Sequence, residues 1–484
     1  MIRDMESWMT GVDKTLTLLQ RRKTTTYDEA VAAALAAANR IINGDFRINQ
    51  RGYVSGATLI PGITTGYGHD RWGAGGLTNL IPYPSAENAT LGWVTSSVNA
   101  ALTRQTTVAK FGTYSYRSQC TTATATGIGM FPGTTTAAPY QIPVVAGQTY
   151  TFSFWAYTTL SGKWAQPRVR FAAGTSNLGD QTGAQFNLTP GVWTLVTQTV
   201  TAPLTATTAA PWANSGEGFA VGNAIYYDGF LFTEGDVVYD YFDGSMPGCL
   251  WLGAANASSS INRPALTAYT YVQAPNGCEI TIADGASVQQ VIERANMPAG
   301  AYTASWGGTA QASVRYRGGG EIGSSSTSPL VFETDGSDDV VVEFSAVDGS
   351  ASLSDVNVVA GGTGSPFRPR HIGAETELAL RYFQRLRSAG SNTGGLMLGG
   401  GTSATEARFV QQFSPPLRIA PVFVASGTFE IVPGGGNPTD IRLTGAITEQ
   451  VAVVSAIRNP LTAGTAYYLR GASDPAYLDF IAEF

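Results

Sequence analysis

The feature that most constrains this chain is a strand written twice. The stretch AGAYTASW (299–306) repeats AGQTYTFSFW (146–155), with Tyr302 to Trp306 falling on Tyr150 to Phe154 without a gap. Downstream, VRYRGG (314–319) matches VRFAAG (169–174), and the first copy carries seven extra residues between the two strands, within TTLSGKWAQP at a hairpin tip. A third match sets DVNVVAGG (355–362) against DGFLFTEG (228–235). Two openings also correspond, NRIINGDFRI from Asn39 and NLIPYPSAEN from Asn79. The order opening, opening, body, body places one sandwich inside the other: 79–262 nested between 39–78 and 263–372. A tandem pair with 39–78 as a linker is the alternative.

Alternation assigns the faces. Tyr150, Phe152 and Phe154 match Tyr302, Ala304 and Trp306 and form the core face, so Trp155 and Tyr157 point the other way. The 57 glycines and the low charged fraction of 13% fit short strands and tight turns, a mainly β fold. Two regions depart from this. Residues 1–38 read as helix, with YDEAVAAALAAANR free of Gly and Pro and an apolar stripe at Trp8, Val12, Leu16 and Leu19. A lone short helix is marginal in water, so this segment packs on copies of itself, docks on another protein, or folds back on its own domain. Near 373 a last block begins with AETELALRYFQRLR (374–387), read as an amphipathic helix with Leu378, Tyr382 and Leu386 on one side. Short strands follow to the end, giving a C-terminal β-domain over 373–484.

Several classes of function are disfavoured. The net charge of −6 argues against nucleic acid, which needs clustered cations. The N-terminal MIRDMESWMT is not a signal peptide, and no apolar run suits a membrane span. Cys120, Cys249 and Cys278 are odd in number without CxxC spacing, and read as free thiols of a protein made in a reducing cytosol.

NRIINGDFRINQRG followed by GYGHDRW resembles the opening of a sandwich common in bacteriophage tail fibre and minor tail proteins. GTGSPFRPRHIGAETELALRYFQR is similar to that sandwich's exit, and FSPPLRIAPVFV to a strand motif of the C-terminal domain in the same proteins. The nested stretch, from NLIPYPSAENATLGW to YYDGFLFTEGDVVYDYFDG, resembles carbohydrate-binding-module jelly rolls. The resemblance implies two jelly-roll sandwiches in a homotrimeric virion protein. Made in the host cytoplasm, it would attach to other tail or baseplate proteins through its N-terminus and recognise host-surface glycan.

The same resemblance implies a structural Ca²⁺ in the nested sandwich, between Glu87 and Asp228, with backbone carbonyls from KFGTYS (110–115). Arg47 stands where the outer sandwich would place that glutamate and could pair with Asp355. Sugar binding needs exposed aromatic faces, and the candidates are Trp155, Tyr157, Trp164 on the hairpin extension, and Trp212 in the loop-like PWANSGEG. Trp93 and Trp193 are assigned to packing. His69 and His371 stand in unrelated motifs, and no GxSxG, HExxH or phosphate loop occurs. Asp338 and Asp339 are adjacent and so point to opposite faces. Catalysis is not expected. The rival readings are a purely structural tail component and a glycan-cleaving tail enzyme.

Overall fold

The computed structural model describes residues 38–483 apart from 63–65, 89–91, 123–126, 136–137, 140–141, 217, 275–276, 389–394, 435, 446 and 474. The N-terminal segment expected to be helical therefore lies, but for residue 38, outside the described residues. The fold is mainly β, as its composition predicts.

The strands from Trp93–Thr95 to Ala224–Glu234 form one sandwich. Its front sheet runs Thr194–Thr201, Thr149–Tyr157, Ala224–Glu234, Ser115–Cys120, Ala100–Gln105. Its back sheet is led by Ser176–Thr182, Trp164–Ala173, Thr208–Ser215, Met130–Thr135 and Trp93–Thr95. Tyr150, Phe152 and Phe154 are fully buried between the sheets with Phe230, Phe232, Val169 and Phe171. Each such side chain contributes roughly 1.5–3 kcal/mol of apolar burial.

The second sandwich gathers residues on both sides of the first in sequence. One core joins Ile41, Phe46, Tyr53, Leu59 and Trp72 to Tyr269, Ile280, Trp306, Phe344 and Val358. Its front sheet runs Leu330–Thr334, Gly300–Gly308, Ala351–Ala360, Gly277–Ile282, Thr267–Ala274, Thr58–Leu59. That is the strand order of the nested sandwich with one short strand added. Where the chain crosses between them, Thr78–Asn79 pairs with Ser260–Ile261, so the way in and the way out are zipped together.

The two openings are held by the same asparagine geometry. Asn39 Oδ1 accepts from the amides of Ile41 and Val358, and its Nδ2 donates to Val356 O. Asn79 Oδ1 accepts from the amides of Ile81 and Phe232, and its Nδ2 donates to Phe230 O and Phe242 O. Each closing strand also bulges at one residue with positive φ, Gly229 at 59° and Asp355 at 52°. Register shifts mark the bulge in both ladders, with Ser153 opposite Leu231 and Trp155 opposite Asp228, against Ser305 opposite Asn357 and Gly307 opposite Ser354. The sequence match of Asp355 with Asp228 is thus one residue out: Asp355 corresponds to Gly229, and Ser354 to Asp228. Arg47 pairs with Asp45 at 2.5 Å and donates to Arg370 O, not to Asp355.

The final block holds a three-stranded and a six-stranded sheet. Its leading helix is shorter than the expected 374–387. It spans Ile372–Leu380, and Phe383–Arg387 is a strand paired to Tyr477–Ile481. Phe383 becomes buried beside Val422 and Ile481, so tertiary pairing overrides the helical spacing. Glu483 is ion-paired to the buried Arg71 and to Arg51 at 3.3 Å, tying this block to the outer sandwich. Arg71 also lies 3.6 Å from the Tyr382 ring centroid.

Asn79→Ala leaves two amides and two carbonyls without their partner in a buried setting. The expected loss is on the order of 3 kcal/mol, read as a lower urea midpoint for the transition followed by tryptophan fluorescence.

Candidate functional site

On the outer face of the nested sandwich's front sheet, side chains from four neighbouring strands line up. Tyr157 lies opposite Tyr226, and Tyr226 opposite Arg117. Trp193 immediately precedes Thr194, which is opposite Ala156, and its ring lies 5.4 Å from Tyr157. Tyr157 and Tyr226 are 5.7 Å apart, edge to face. All four side chains are half-buried, each leaving part of its surface open. Three strand spacings make the row roughly 14 Å long, the length of a short oligosaccharide.

The row has a counterpart in the outer sandwich that carries none of these side chains. There Thr281 lies opposite Ser352, and Thr309 N donates to Ser352 O, so Thr281, Ser352 and Thr309 stand where the nested copy has Arg117, Tyr226 and Tyr157. Gly307 stands in place of Trp155, and a Cβ there would lie 2.6 Å from Ser354 Oγ. The scaffold is common to both copies and the aromatic row belongs to one.

The four expected aromatics do not form one site. Trp155 shares the front face with Tyr157, but the Lys110 ammonium lies 4.0 Å over its ring and Phe111 packs against it. Trp164 and Trp212 lie on the other sheet, where Trp164 and Arg168 alternate with the buried Ala165 and Val169. Trp164 opens a strand instead of sitting at a hairpin tip, and Trp212 lies mid-strand opposite Arg168, not in a loop. Arg168 and Arg170 lie 4.9 and 5.1 Å from the Trp212 ring, with Phe131 edge-on at 4.4 Å. Trp93 is buried. Trp193, assigned to packing from sequence, is instead an end of the row. Its signal was available: Val196 and Val200 point inward, which turns Trp193 and Leu195 outward.

Glu87 and Asp228 do come together, in an arrangement other than the one expected. Asp228 is fully buried. Its Oδ2 accepts from the amides of Lys110 and Phe111, and its Oδ1 from Gly229. Glu87 Oε1 accepts from the amides of Thr113 and Tyr114 at 2.8 Å each. The 110–114 segment therefore presents N–H groups to these carboxylates where carbonyls were expected. Calcium takes six to eight oxygens, and among the described residues no group of three or more His, Cys, Asp or Glu could hold a metal. As arranged, these oxygens do not fit a calcium ion, which would have to displace five amide hydrogen bonds. Burial pushes the Asp228 carboxyl up to about 7, with the Glu87 charge adding to the rise and the three amides opposing it.

The remaining candidates are held in structural bonds. His69 is buried against Tyr269, its Nδ1 3.0 Å from the tyrosine Oη, and burial lowers it to about 4. His371 caps the helix by accepting from Gly373 N. Asp338 accepts from Gly318 N and Asp339 from Arg294 N. Cys120, Cys249 and Cys278 are free thiols, the first and last buried. No helix among the described residues is long and apolar enough to cross a membrane.

No family model matches the chain, and no curated protein does. Among solved structures it is similar to the CBM22-1–GH10 modules of Clostridium thermocellum xylanase 10B. That match has 16% identity over 33% of this chain and 29% of that one, with a TM-score of 0.27. A CBM22 tandem from Paenibacillus barcinonensis Xyn10C matches at 11% identity over 63% of this chain and all of that one, at 0.26. Tailspike protein 4 of bacteriophage CBA120 matches at 14% identity over 32% of this chain and 21% of that one, at 0.25.

The raised Asp228 carboxyl makes the nested sandwich pH-sensitive. Between about 4 and 7 the folded state holds a proton that the unfolded chain has lost, so stability is greatest below that window and falls as pH rises through about 7. Melting temperature should drop from pH 5 to pH 8, and Asp228→Asn should flatten that slope. Millimolar calcium should leave the melt at pH 8 unchanged; a clear rise would show that the 110–114 segment turns its carbonyls inward to take the ion.

Proposed function

We propose that this chain is a glycan-binding adhesin of a phage tail. Trp193, Tyr157 and Tyr226 form the stacking platform, and the chain acts as a homotrimer that meets the host surface without cleaving it. The observation that carries the reading is the contrast between the two sandwiches. Both keep the core, the asparagine clamp and the bulge, while the nested copy alone replaces Thr281, Ser352 and Thr309 with Arg117, Tyr226 and Tyr157. Half-exposed aromatic rings cost solubility and add nothing to a core that is already closed, so a ligand is the physical reason to keep them. Pyranose C–H faces suit such rings, and flanking polar groups set orientation. Trimeric display would turn weak single sites into firm adhesion. The sequence resemblance to tail proteins supplies the virion setting.

The test is retention of the labelled full-length chain on host cells and purified walls. Tyr157→Ala and Trp193→Ala should each weaken retention about tenfold, the scale of a lost aromatic contact, while Trp212→Ala on the opposite face should leave it unchanged. A folded chain that binds neither cells nor walls, or binds equally well without Tyr157, overturns the reading. Sedimentation of the full chain should give three subunits.

A further inference from the structure

Arg117 closes the row next to Tyr226. Several other strand arginines are matched to acids, Arg170 to Asp180 at 2.7 Å, Arg385 to Asp479 at 2.7 Å, Arg470 to Glu430 at 2.6 Å and Arg408 to Glu406 at 3.0 Å, while Arg104 at the sheet edge rests on the Tyr114 ring and donates to Glu87 O. Arg117 makes no ion pair or side-chain hydrogen bond among the described residues, and its Nε is closed to solvent without a partner. The counterpart position in the outer sandwich is Thr281. A second cation on this face, Lys110, rests on Trp155 and pairs with no carboxylate among the described residues. The acid beneath it, Asp228, is turned inward to three amides. Two unmatched cations thus flank an aromatic row on a chain whose net charge is −6.

From this we infer that the glycan taken by the row is a uronate polymer, its ring stacked on Tyr226 and Tyr157 and its carboxylate held by Arg117. The inference rests on the platform reading above and names its substrate class. A guanidinium presents a planar fork that matches a carboxylate. On a uronate the carboxylate is attached to the same ring that stacks, so adjacent positions of one row can read both. A polyol phosphate carries the charge without a ring and would use the cation while leaving the tyrosines idle. The partly desolvated Arg117 has already given up hydration at Nε, which reduces what binding must still remove.

The experiment uses the full chain and three uronate polymers, polygalacturonate, alginate and hyaluronan, each beside its carboxyl-amidated form, with titration calorimetry at low salt. At least one acid form should bind roughly ten- to hundredfold tighter than its amide. Arg117→Gln should abolish the difference between the acid form and its amide, and Arg117→Lys should restore part of it. Tyr157→Ala should weaken both forms. Failure of all three acid forms to bind, or an acid preference that survives Arg117→Gln, overturns the inference. Wall retention that needs Tyr157 but ignores Arg117→Gln also overturns it and leaves the platform standing. Retention indifferent to Tyr157→Ala removes the platform, and this inference with it.

Discussion

The side chain of Asn79 fixes where everything on the nested sandwich's front face can be. It makes four hydrogen bonds, all of them shielded from water: two join the incoming segment to the Ala224–Glu234 strand at Phe230 and Phe232, one reaches Phe242 O and one holds the amide of Ile81. Beside it lies the bulge at Gly229, and the bulge sets the phase of that strand. Before it, Ile225 and Tyr227 point into the core; after it, Phe230 and Phe232 do. A regular strand would have to send one of these pairs outward. With the extra residue, both pairs stay inside, Tyr226 faces out, and Asp228 sits against the 110–114 segment. The outer sandwich solves the same problem the same way, with Ala351 and Leu353 inward before Asp355, and Val356 and Val358 inward after it.

The two copies therefore separate what the scaffold requires from what was added to it. The clamp, the bulge and the alternating core recur, because each satisfies buried backbone groups or fills buried volume. The outward row does not recur. Thr281, Ser352 and Thr309 are small polar residues of a solvent-facing strand surface, and at Gly307 a Cβ would have to turn the Ser354 hydroxyl aside. In the nested copy the same positions hold large rings and an unmatched guanidinium. The ring contacts add to the sheet, but a guanidinium left without an acid does not, and that is the ground for proposing this face as the one that interacts.

Much of this was legible in the sequence because duplication supplies its own control. The period-two runs around Tyr150 and Tyr302 gave the core faces, and the order of matched segments gave the reading of one sandwich inside another. What escaped was local. The one-residue error at Asp355 arose because a bulge is invisible when aspartates are matched by type; positive φ fits either Gly or Asp. Pro211, Asn214 and Gly216 around Trp212 suggest a loop, yet the strand opposite supplies its ladder partners. The helix over 374–387 ended early because Phe383 is worth more buried in a sheet than exposed on a helix. Glu87 and Asp228 both accept amides of the 110–114 segment; whether a turn offers its carbonyls or its amides depends on backbone orientation, which residue type does not specify.

The outer sandwich, having no row of its own, has a different task, visible in its charges. Arg71 is almost wholly buried and meets Glu483, with Arg51 alongside and the Tyr382 ring beneath. Taking such ions out of water consumes most of what their attraction returns, so a buried pair is a poor source of net stability. What it does supply is exclusivity: any other seating of the C-terminal block would leave Arg71 or Glu483 buried and unmatched, at a cost no apolar contact could hide. The nested sandwich is joined differently, by the two-residue strand pair at 78–79 and 260–261, by the Arg317–Asp236 contact at 3.3 Å and by apolar packing of Val145 on Phe383, Val422 and Ile481. Charge thus fixes the base, while the copy that carries the aromatic row is attached through a short backbone zipper and apolar packing at Val145, both away from the row, so the row can diverge without disturbing either joint.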